Sequence, residues 1–193
     1  MTESHSPSSF CPSFSGSEPE IKTPLEIERK WLVKGWPPAS ASLPLLKEEL
    51  MRQGYLCVEP TVRIREETLL RETPAYILCF KSRGNGLTRK EIEFPIAPEN
   101  FRQLEDLIGL PLIPKLRRTY LLPDGHHLEV NAVDENAPTA FFYAEVEFSS
   151  EKEARCFSPD EAGLGEYLQN DVTSTPGMTM GAYWKRNRLG LDA

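Results

Sequence analysis

Apolar and charged residues alternate along several short segments of this chain. The clearest case is the segment Leu25–Val33, where Glu26, Glu28 and Lys30 fall on one side of an extended backbone. The other side is apolar apart from Arg29. Because successive side chains of a strand point to opposite faces, this period of two predicts a β-strand with one face in a core and one charged face.

The same alternation returns on later segments, and their polar faces carry charges of both signs. The charged side chains on these faces are Arg63, Arg65, Lys81, Arg89, Glu91, Glu93, Lys115, Arg117, Glu129, Glu145 and Glu147. One such strand alone is more often the solvent face of an antiparallel sheet than a site. Repetition on strand after strand favours one shared polar surface.

Helical spacing of apolar residues predicts two clear helices. The first runs over Leu43–Gln53 and is ended by Gly54, and the second runs over Pro98–Gly109. A shorter helix is predicted near Pro159–Leu168, and the segment after Gly177 gives mixed signals. Together with the alternating segments, this gives roughly eight strands and two or three helices.

The connections between the predicted strands are short, which favours antiparallel neighbours. A closed antiparallel eight-stranded β-barrel, mostly β with two or three helices packed outside, accounts for the pattern if the charged faces line the interior. This arrangement reverses the apolar filling of most small barrels. The adjacent residues His126 and His127 project to opposite faces, so they cannot chelate a metal together. We interpret them as surface residues beside a turn.

Length and composition suit one ordinary globular domain. The chain has 193 residues, of which 39% are hydrophobic and 26% charged. Residues 1–22 are rich in Ser and Pro and predict a disordered tail, so the domain spans 23–193. The net charge of −7 disfavours a nucleic-acid partner held by general electrostatics.

The absence of targeting signals and the spacing of the cysteines indicate the cellular compartment. No run reaches the roughly 18 apolar residues that a membrane span requires, and no signal-peptide pattern is present. The four cysteines form no CxxC pair, which disfavours zinc and a disulfide framework. We therefore expect a cytoplasmic protein without a membrane or nucleic-acid partner.

The charged faces of the predicted strands also indicate which ligands they could bind. Glu26 and Glu28 lie about 7 Å apart along a strand and are followed by Lys30, a spacing that could hold a hard divalent cation beside a cationic phosphate contact. Arg63 and Arg65 could each hold phosphate oxygens bidentately, which lysine cannot do.

The segment Glu26-Ile27-Glu28-Arg29-Lys30 resembles the N-terminal ExExK signature of the CYTH superfamily, also called triphosphate tunnel metalloenzymes. The further segments VRIR, RKEIE, KLRR and AEVE follow in that family's order, and the resemblance covers about residues 24–190. The form EIERKWLV, with QGYL downstream, is most similar to short bacterial members grouped with inorganic triphosphatases.

The resemblance implies a tunnel of eight antiparallel strands whose polar lumen binds a triphosphate and a divalent metal, Mg²⁺ or Mn²⁺. It implies that Lys30 and Glu28 are catalytic. The phosphate-binding residues that it implies are Arg63, Arg65, Lys81, Arg89, Lys115, Arg117 and, near the C-terminus, Lys185. The residues that it implies for the metal, directly or through water, are Glu26, Glu28, Glu91, Glu93, Glu129, Glu145 and Glu147.

Two positions depart from the family pattern. Asn131 stands where the family usually has an acid, so an oxygen ligand is kept but a charge is lost. The segment Trp184–Leu189 matches the family's C-terminal motif imperfectly, which leaves open how the organic part of a substrate is selected.

These observations lead to a predicted function with open alternatives. We expect a metal-dependent phosphohydrolase that removes the terminal phosphate of inorganic tripolyphosphate, or of a nucleoside or thiamine triphosphate. A class IV adenylyl cyclase that makes cyclic AMP from ATP is an alternative. A non-catalytic polyphosphate- or nucleotide-binding module and a barrel with salt-bridged charges but no ligand also stay open, as does assembly into a homodimer.

Overall fold

The fold is described from a computed structural model in which residues 25–69, 72–84 and 86–191 are placed. The predicted tail, residues 1–22, lies outside the described residues. Within them, none of the helices is both long and apolar enough to cross a bilayer.

A closed antiparallel β-barrel dominates the structure. Its strands are β1 (Leu25–Val33), β2 (Leu45–Cys57), β3 (Thr61–Leu69), β4 (Ala75–Lys81), β5 (Thr88–Pro95), β6 (Ile113–Leu121), β7 (His127–Val133) and β8 (Phe141–Glu147), and a short strand, β9 (Asn170–Asp171), is added to β1. The neighbours run β5-β4-β3-β2-β6-β7-β8-β1, and pairing of β1 with β5 closes the ring. The predicted eight-stranded barrel is therefore confirmed.

Strand β1 closes the barrel, because it pairs with both β5 and β8. Its first residues pair with β5, where Leu25 lies opposite Lys90. Its remainder pairs with β8, where Lys30 lies opposite Glu145, and Trp31 also lies opposite Asp171 of β9. The charged face of this strand thus sits where three other strands converge.

The described residues include three helices beside the barrel, α1 (Pro98–Ile108), α2 (Glu151–Cys156) and α3 (Met180–Arg188), and one 3₁₀ turn at Ala39–Ala41. Helix α1 agrees with the prediction and ends at Gly109, whose φ of 64° provides the left-handed cap. Its Phe101 is buried against the outside of the barrel, in contact with Tyr76.

Two predicted helices were wrong. The residues of Leu43–Gln53 belong mainly to β2, a strand of 13 residues that pairs with both β3 and β6. Its leucines recur at helical spacing, yet Leu46 and Leu50 remain exposed, so they do not form a buried helical face. Pairing of β2 with β3 and β6 therefore outweighed the helical preference that the leucine spacing indicates.

The short helix predicted near Pro159–Leu168 is also misplaced. That segment forms turns, and the helix lies earlier, at α2. Ser150 caps it by accepting a hydrogen bond from the Glu153 backbone N–H. Serine followed by glutamate three residues later is a sequence signature of a helix start that the apolar spacing does not reveal.

The apolar faces of the strands point outward and pack under the helices and loops. One cluster surrounds the fully buried Trp31 and includes Ala154 of α2. The other joins Tyr183 and Trp184 of α3 to Ile113, Val133 and other residues at the ends of β2, β6, β7 and β8. Helix α3 therefore lies across one end of the barrel, and the charged faces are left to line the interior.

Candidate active site

A polar cavity of about 1300 Å³ fills the barrel interior. All fifteen residues predicted for the site line it: Glu26, Glu28, Lys30, Arg63, Arg65, Lys81, Arg89, Glu91, Glu93, Lys115, Arg117, Glu129, Glu145, Glu147 and Lys185. Fourteen of them come from the strands, and Lys185 comes from α3. The structure thus brings the whole predicted set into one enclosed space.

Strand register explains why these side chains converge. Residues directly opposite each other on neighbouring strands share a face of the sheet. Glu26 lies opposite Arg89, and Lys81 lies opposite Glu91. On the other side of β1, Glu28 lies opposite Glu147. Cross-strand pairing therefore brings bases beside acids around the lumen and also places some acids beside each other.

Glu26 is the most strongly paired acid of the lumen. Lys81 Nζ lies 2.7 Å from one of its oxygens, and Arg89 Nε donates to the other. Lys81 also lies 2.9 Å from Glu91. Burial alone would raise the pKa of Glu26, but the charge of Lys81 and the hydrogen bond and charge of Arg89 hold that pKa well below its usual range.

Glu28 shows the opposite behaviour, although Arg89 Nη2 lies 2.9 Å from it. Burial, followed by the charges of Glu145 and Glu26, raises the pKa of Glu28 to about 8. Burial and neighbouring acids, Glu26 first among them, also raise the pKa of Glu147. The region where β1 meets β8 therefore holds more negative charge than its bases neutralise.

Lys30 is fixed from three directions. Its ammonium lies 3.1 Å from Glu145 and 3.7 Å from the centre of the Tyr143 ring. Its backbone N–H donates to the Thr173 hydroxyl at 3.0 Å, and its carbonyl accepts from the Val172 N–H at 2.8 Å. Burial opposes ionisation of Glu145, but Lys30 and Lys115 hold its pKa at about 2.

The two arginines of β3 share one acid. Nη2 of Arg63 lies 3.3 Å from Glu93, and Nη2 of Arg65 lies 3.2 Å from the same carboxylate. Arg65 also pairs with Glu67 at 2.6 Å. Their guanidinium groups lie beside each other in the lumen, an arrangement suited to a polyanion with adjacent phosphate groups.

The opposite wall, formed by β6, β7 and β8, relies more on neutral partners. Arg117 pairs with Glu129 at 2.8 Å and donates from Nε to Asn131 Oδ1 at 3.2 Å. Lys115 donates to the same oxygen at 3.1 Å and to the Tyr143 hydroxyl at 2.8 Å. The oxygen of Asn131, interpreted from the sequence as a metal ligand, is therefore engaged by two bases.

Sequence reasoning missed some residues of the lumen. Tyr143 precedes Glu145 by two positions and shares its face, so the same alternation contained the signal. Cys79 likewise shares the face of Lys81 and is fully buried in the lumen wall. Thr173 lies on a segment without periodicity, and no pattern marked it.

The histidines only partly match their interpretation as surface residues. His127 is exposed and lines the cavity. His126 is half-buried, because it packs on Phe148 and Phe157 and lies 3.1 Å from Glu153. For His126 the interpretation was wrong, since α2 covers the turn.

Two acidic groups could hold a divalent cation. The ligand atoms of Cys79, Glu91 and Glu93 lie within 4.8 Å of one another. However, burial raises the pKa of the Cys79 thiol to about 12, and both carboxylates are paired with bases. This group suits a hard cation poorly, since its sulfur stays protonated.

The second group is formed by the acids at the junction of β1 and β8, Glu28 and Glu147, with Glu145 beside them. Burial, followed by the charges of neighbouring acids, raises the pKa of the first two, and a bound cation would favour their ionised forms. Carboxylate oxygens are the ligands that Mg²⁺ and Mn²⁺ prefer. By donor type these carboxylates suit a hard divalent ion, although in the free protein Glu28 is paired with Arg89 and Glu145 with Lys30.

Comparison with known proteins agrees with the geometry. No protein-family model matches the chain. Over 147 residues the chain is 36% identical to the inorganic triphosphatase of Nitrosomonas europaea, a match that spans 76% of this chain and 90% of the relative. The chain belongs to the CYTH superfamily of triphosphate tunnel metalloenzymes. The resemblance inferred from the ExExK signature is thereby confirmed.

A solved structure of this CYTH type supports the fold. The crystal structure of an inorganic triphosphatase superimposes with a TM-score of 0.52 and 27% identity, over 82% of this chain and 93% of the other. The tunnel architecture of this CYTH protein is thus shared with an experimentally solved relative.

Proposed function

We propose that the protein hydrolyses the terminal phosphoanhydride bond of inorganic tripolyphosphate in the barrel lumen. One observation carries this proposal: the bases and acids expected for a triphosphate and its metal converge on a single enclosed cavity. The 36% identical relative, an inorganic triphosphatase, supports hydrolysis over the cyclase alternative.

The basic residues of the lumen bind and align the phosphate chain. Arg63 and Arg65 lie side by side on one wall, and Arg117 and Lys115 lie side by side on another. In the free protein most of these bases are held by acids, so substrate phosphates replace carboxylates as their partners. Alignment is the main requirement, because phosphoryl transfer depends on positioning and electrostatics more than on covalent help.

The acids released from those pairs, together with Glu147, would hold a divalent cation. The residues that would hold it, directly or through water, are Glu26, Glu28, Glu91, Glu93, Glu129, Glu145 and Glu147. When bound, Mg²⁺ or Mn²⁺ supplies neutralisation of the charge that develops on the phosphate oxygens.

Lys30 and Glu28 act closest to the reacting phosphate. Lys30 is held by Glu145, Tyr143 and the backbone of residues 172–173, so its ammonium has a fixed direction for contact with a phosphate oxygen. We assign to Glu28, which lies opposite Glu147 and 2.9 Å from Arg89, the role of accepting a hydrogen bond, and then a proton, from the attacking water.

Phosphate release tests the proposal. Purified protein is incubated with tripolyphosphate, ATP or thiamine triphosphate, each with Mg²⁺, with Mn²⁺ or with EDTA. We expect metal-dependent release of orthophosphate, fastest from tripolyphosphate. Formation of cyclic AMP and pyrophosphate from ATP would overturn the proposal, as would tight substrate binding without any product.

A further inference from the structure

The basic side chains of the lumen differ in what neutralises them. Six of them form ion pairs with lumen acids: Lys30, Arg63, Arg65, Lys81, Arg89 and Arg117. Among the described residues, Lys115 forms no ion pair, although it is only 4% exposed. Lys185 also has none, but it is half-buried on α3. Lys115 is therefore the deeply buried lumen base that lacks a direct ion pair among the described residues, although the charge of Glu145 acts on it at longer range.

Two neutral groups hold Lys115 in place. Its Nζ donates to Asn131 Oδ1 at 3.1 Å and to the Tyr143 hydroxyl at 2.8 Å. The direction of the Asn131 amide is fixed by chemistry, since Arg117 Nε donates to the same atom and two donors require an oxygen. Tyr143 and Asn131 are almost fully buried, so neither group is free to move away.

The amide nitrogen of Asn131 lacks a hydrogen-bond acceptor among the described residues. This atom, Nδ2, is buried, and Asn131 as a whole is fully buried. A buried N–H without an acceptor is unfavourable, because it loses its hydrogen bond to water. An anion bound beside Lys115 and Arg117, which both line the cavity, would supply a counter-charge for the lysine.

The electrostatic surroundings of Lys115 agree with this geometry. Burial, and then the charge of Arg117, place the pKa of Lys115 well below its usual range. Arg63 and Arg65 on β3 act in the same direction, and Glu145 on β8 opposes them. On β2 the residue opposite Lys115 is the apolar Met51. Bases thus outnumber acids around the lysine.

We propose that Asn131 and Tyr143 are positioning residues that hold Lys115 without neutralising it, so that a phosphate group of the substrate becomes its counter-ion. This inference rests on the proposed function for the identity of the ligand. It follows that the lumen bases that form ion pairs stabilise the free protein, whereas Lys115 makes the strongest contact with the bound polyanion.

The substitution Asn131→Asp tests the proposal, because it adds one negative charge beside Lys115 while the side chain keeps nearly the same shape. Tripolyphosphate binding is measured by calorimetry in EDTA, where hydrolysis does not interfere, over a range of pH. An aspartate would neutralise Lys115, so we expect affinity to fall at least about tenfold. Wild-type affinity should fall as pH rises through the pKa of Lys115, and the variant should lose most of that dependence.

His127→Asp provides the matched control. It adds the same charge to the cavity lining at a position four residues, or about 13 Å, along β7 from Asn131. We expect it to weaken binding by less than about threefold and to keep the pH dependence. Equal losses in the two variants would contradict the proposal, because they would reflect general repulsion.

Tyr143→Phe is the second variant and keeps the test decisive if Asn131→Asp does not fold. It removes the hydroxyl that holds Lys115 but keeps the ring beneath Lys30. We expect KM for tripolyphosphate to rise about threefold or more while kcat changes less. A fall in kcat at unchanged KM would overturn the assignment.

The outcomes also separate this inference from the proposed function. If tripolyphosphate binds with the expected differences among variants but is never hydrolysed, only the proposed function fails. If it is hydrolysed but Asn131→Asp leaves affinity and its pH dependence unchanged, only this inference fails. No binding by the wild type at any pH would overturn both.

Discussion

Two walls of the lumen hold a buried lysine in opposite ways. On the wall of β1, β4 and β5, Lys81 lies between the carboxylates of Glu26 and Glu91. On the wall of β6, β7 and β8, Lys115 lies between an amide and a phenol. The two lysines are 7% and 4% exposed, so burial does not distinguish them. The difference lies in the charge of their partners: Lys81 is paired with two acids, and Lys115 is held by two neutral groups.

Replacing each lysine by methionine gives the largest expected difference. Lys81→Met would leave Glu26 and Glu91 without their shared cation, and we expect it to cost about 3 kcal/mol or more of unfolding free energy. Lys115→Met removes a charge that has no counter-ion, so we expect a change near zero or a small gain. Urea unfolding of the metal-free proteins measures both values, and equal losses would contradict the contrast between the walls.

The substitution Lys30→Ala tests the role of Lys30 where β1 meets β8. Because Lys30 is directed into the lumen by Glu145 and Tyr143, we expect kcat for tripolyphosphate to fall about 10²- to 10³-fold. Melting temperature should change by only a few degrees, since the strand keeps its backbone pairing. A large melting shift with activity retained would count against its assigned role.

The acids of the same junction predict an unusual dependence of stability on pH. The pKa of Glu28 is raised to about 8 in the folded state, so the native protein binds more protons than the unfolded chain between pH 4.5 and 8. Stability of the metal-free protein should therefore fall as pH rises through this window, by up to about 1.4 kcal/mol per pH unit from this group. Denaturation curves at several pH values measure the slope.

Glu28→Gln is the control for that slope. It keeps the shape of the side chain and removes its titration, so the fall in stability between pH 4.5 and 8 should become shallower. Added Mg²⁺ should flatten the wild-type curve in the same way, because a bound cation favours the ionised carboxylate. An unchanged slope in the variant would show that another group is responsible.

The smallest effect is expected on the rim of the cavity, outside either wall. Arg83 pairs with Glu59 at 3.1 Å, but their side chains are 79% and 68% exposed. Such a pair contributes little in water. Arg83→Ala should change the melting temperature by no more than a degree or two, and a larger shift would mean that the rim supports the barrel more than its exposure suggests.

The sequence predicted the lumen well because alternation is a local property. Residues such as Glu26, Glu28 and Lys30 share a face whatever the strand pairs with, so a closed barrel was enough to bring all fifteen predicted side chains together. The same rule could have identified Tyr143. Strand β2 was misread because its leucine spacing imitates a helix, and only pairing with β3 and β6 excludes that interpretation.

The partners of each charge could not be predicted from spacing. Asn131 accepts hydrogen bonds from Lys115 and Arg117 because β6 and β7 are aligned so that Arg117 faces it. That register depends on the whole barrel. The sequence therefore indicated which residues would line the lumen, but not which of them would form ion pairs there.

The position of β1 in the ring affects the order of folding. This strand lies near the beginning of the described chain, yet its partners are residues 88–90 of β5 and residues 142–147 of β8. During synthesis it cannot pair with β8 until most of the chain has left the ribosome. The ExExK strand is thus expected to be among the last to dock, and the active site forms only when the barrel closes.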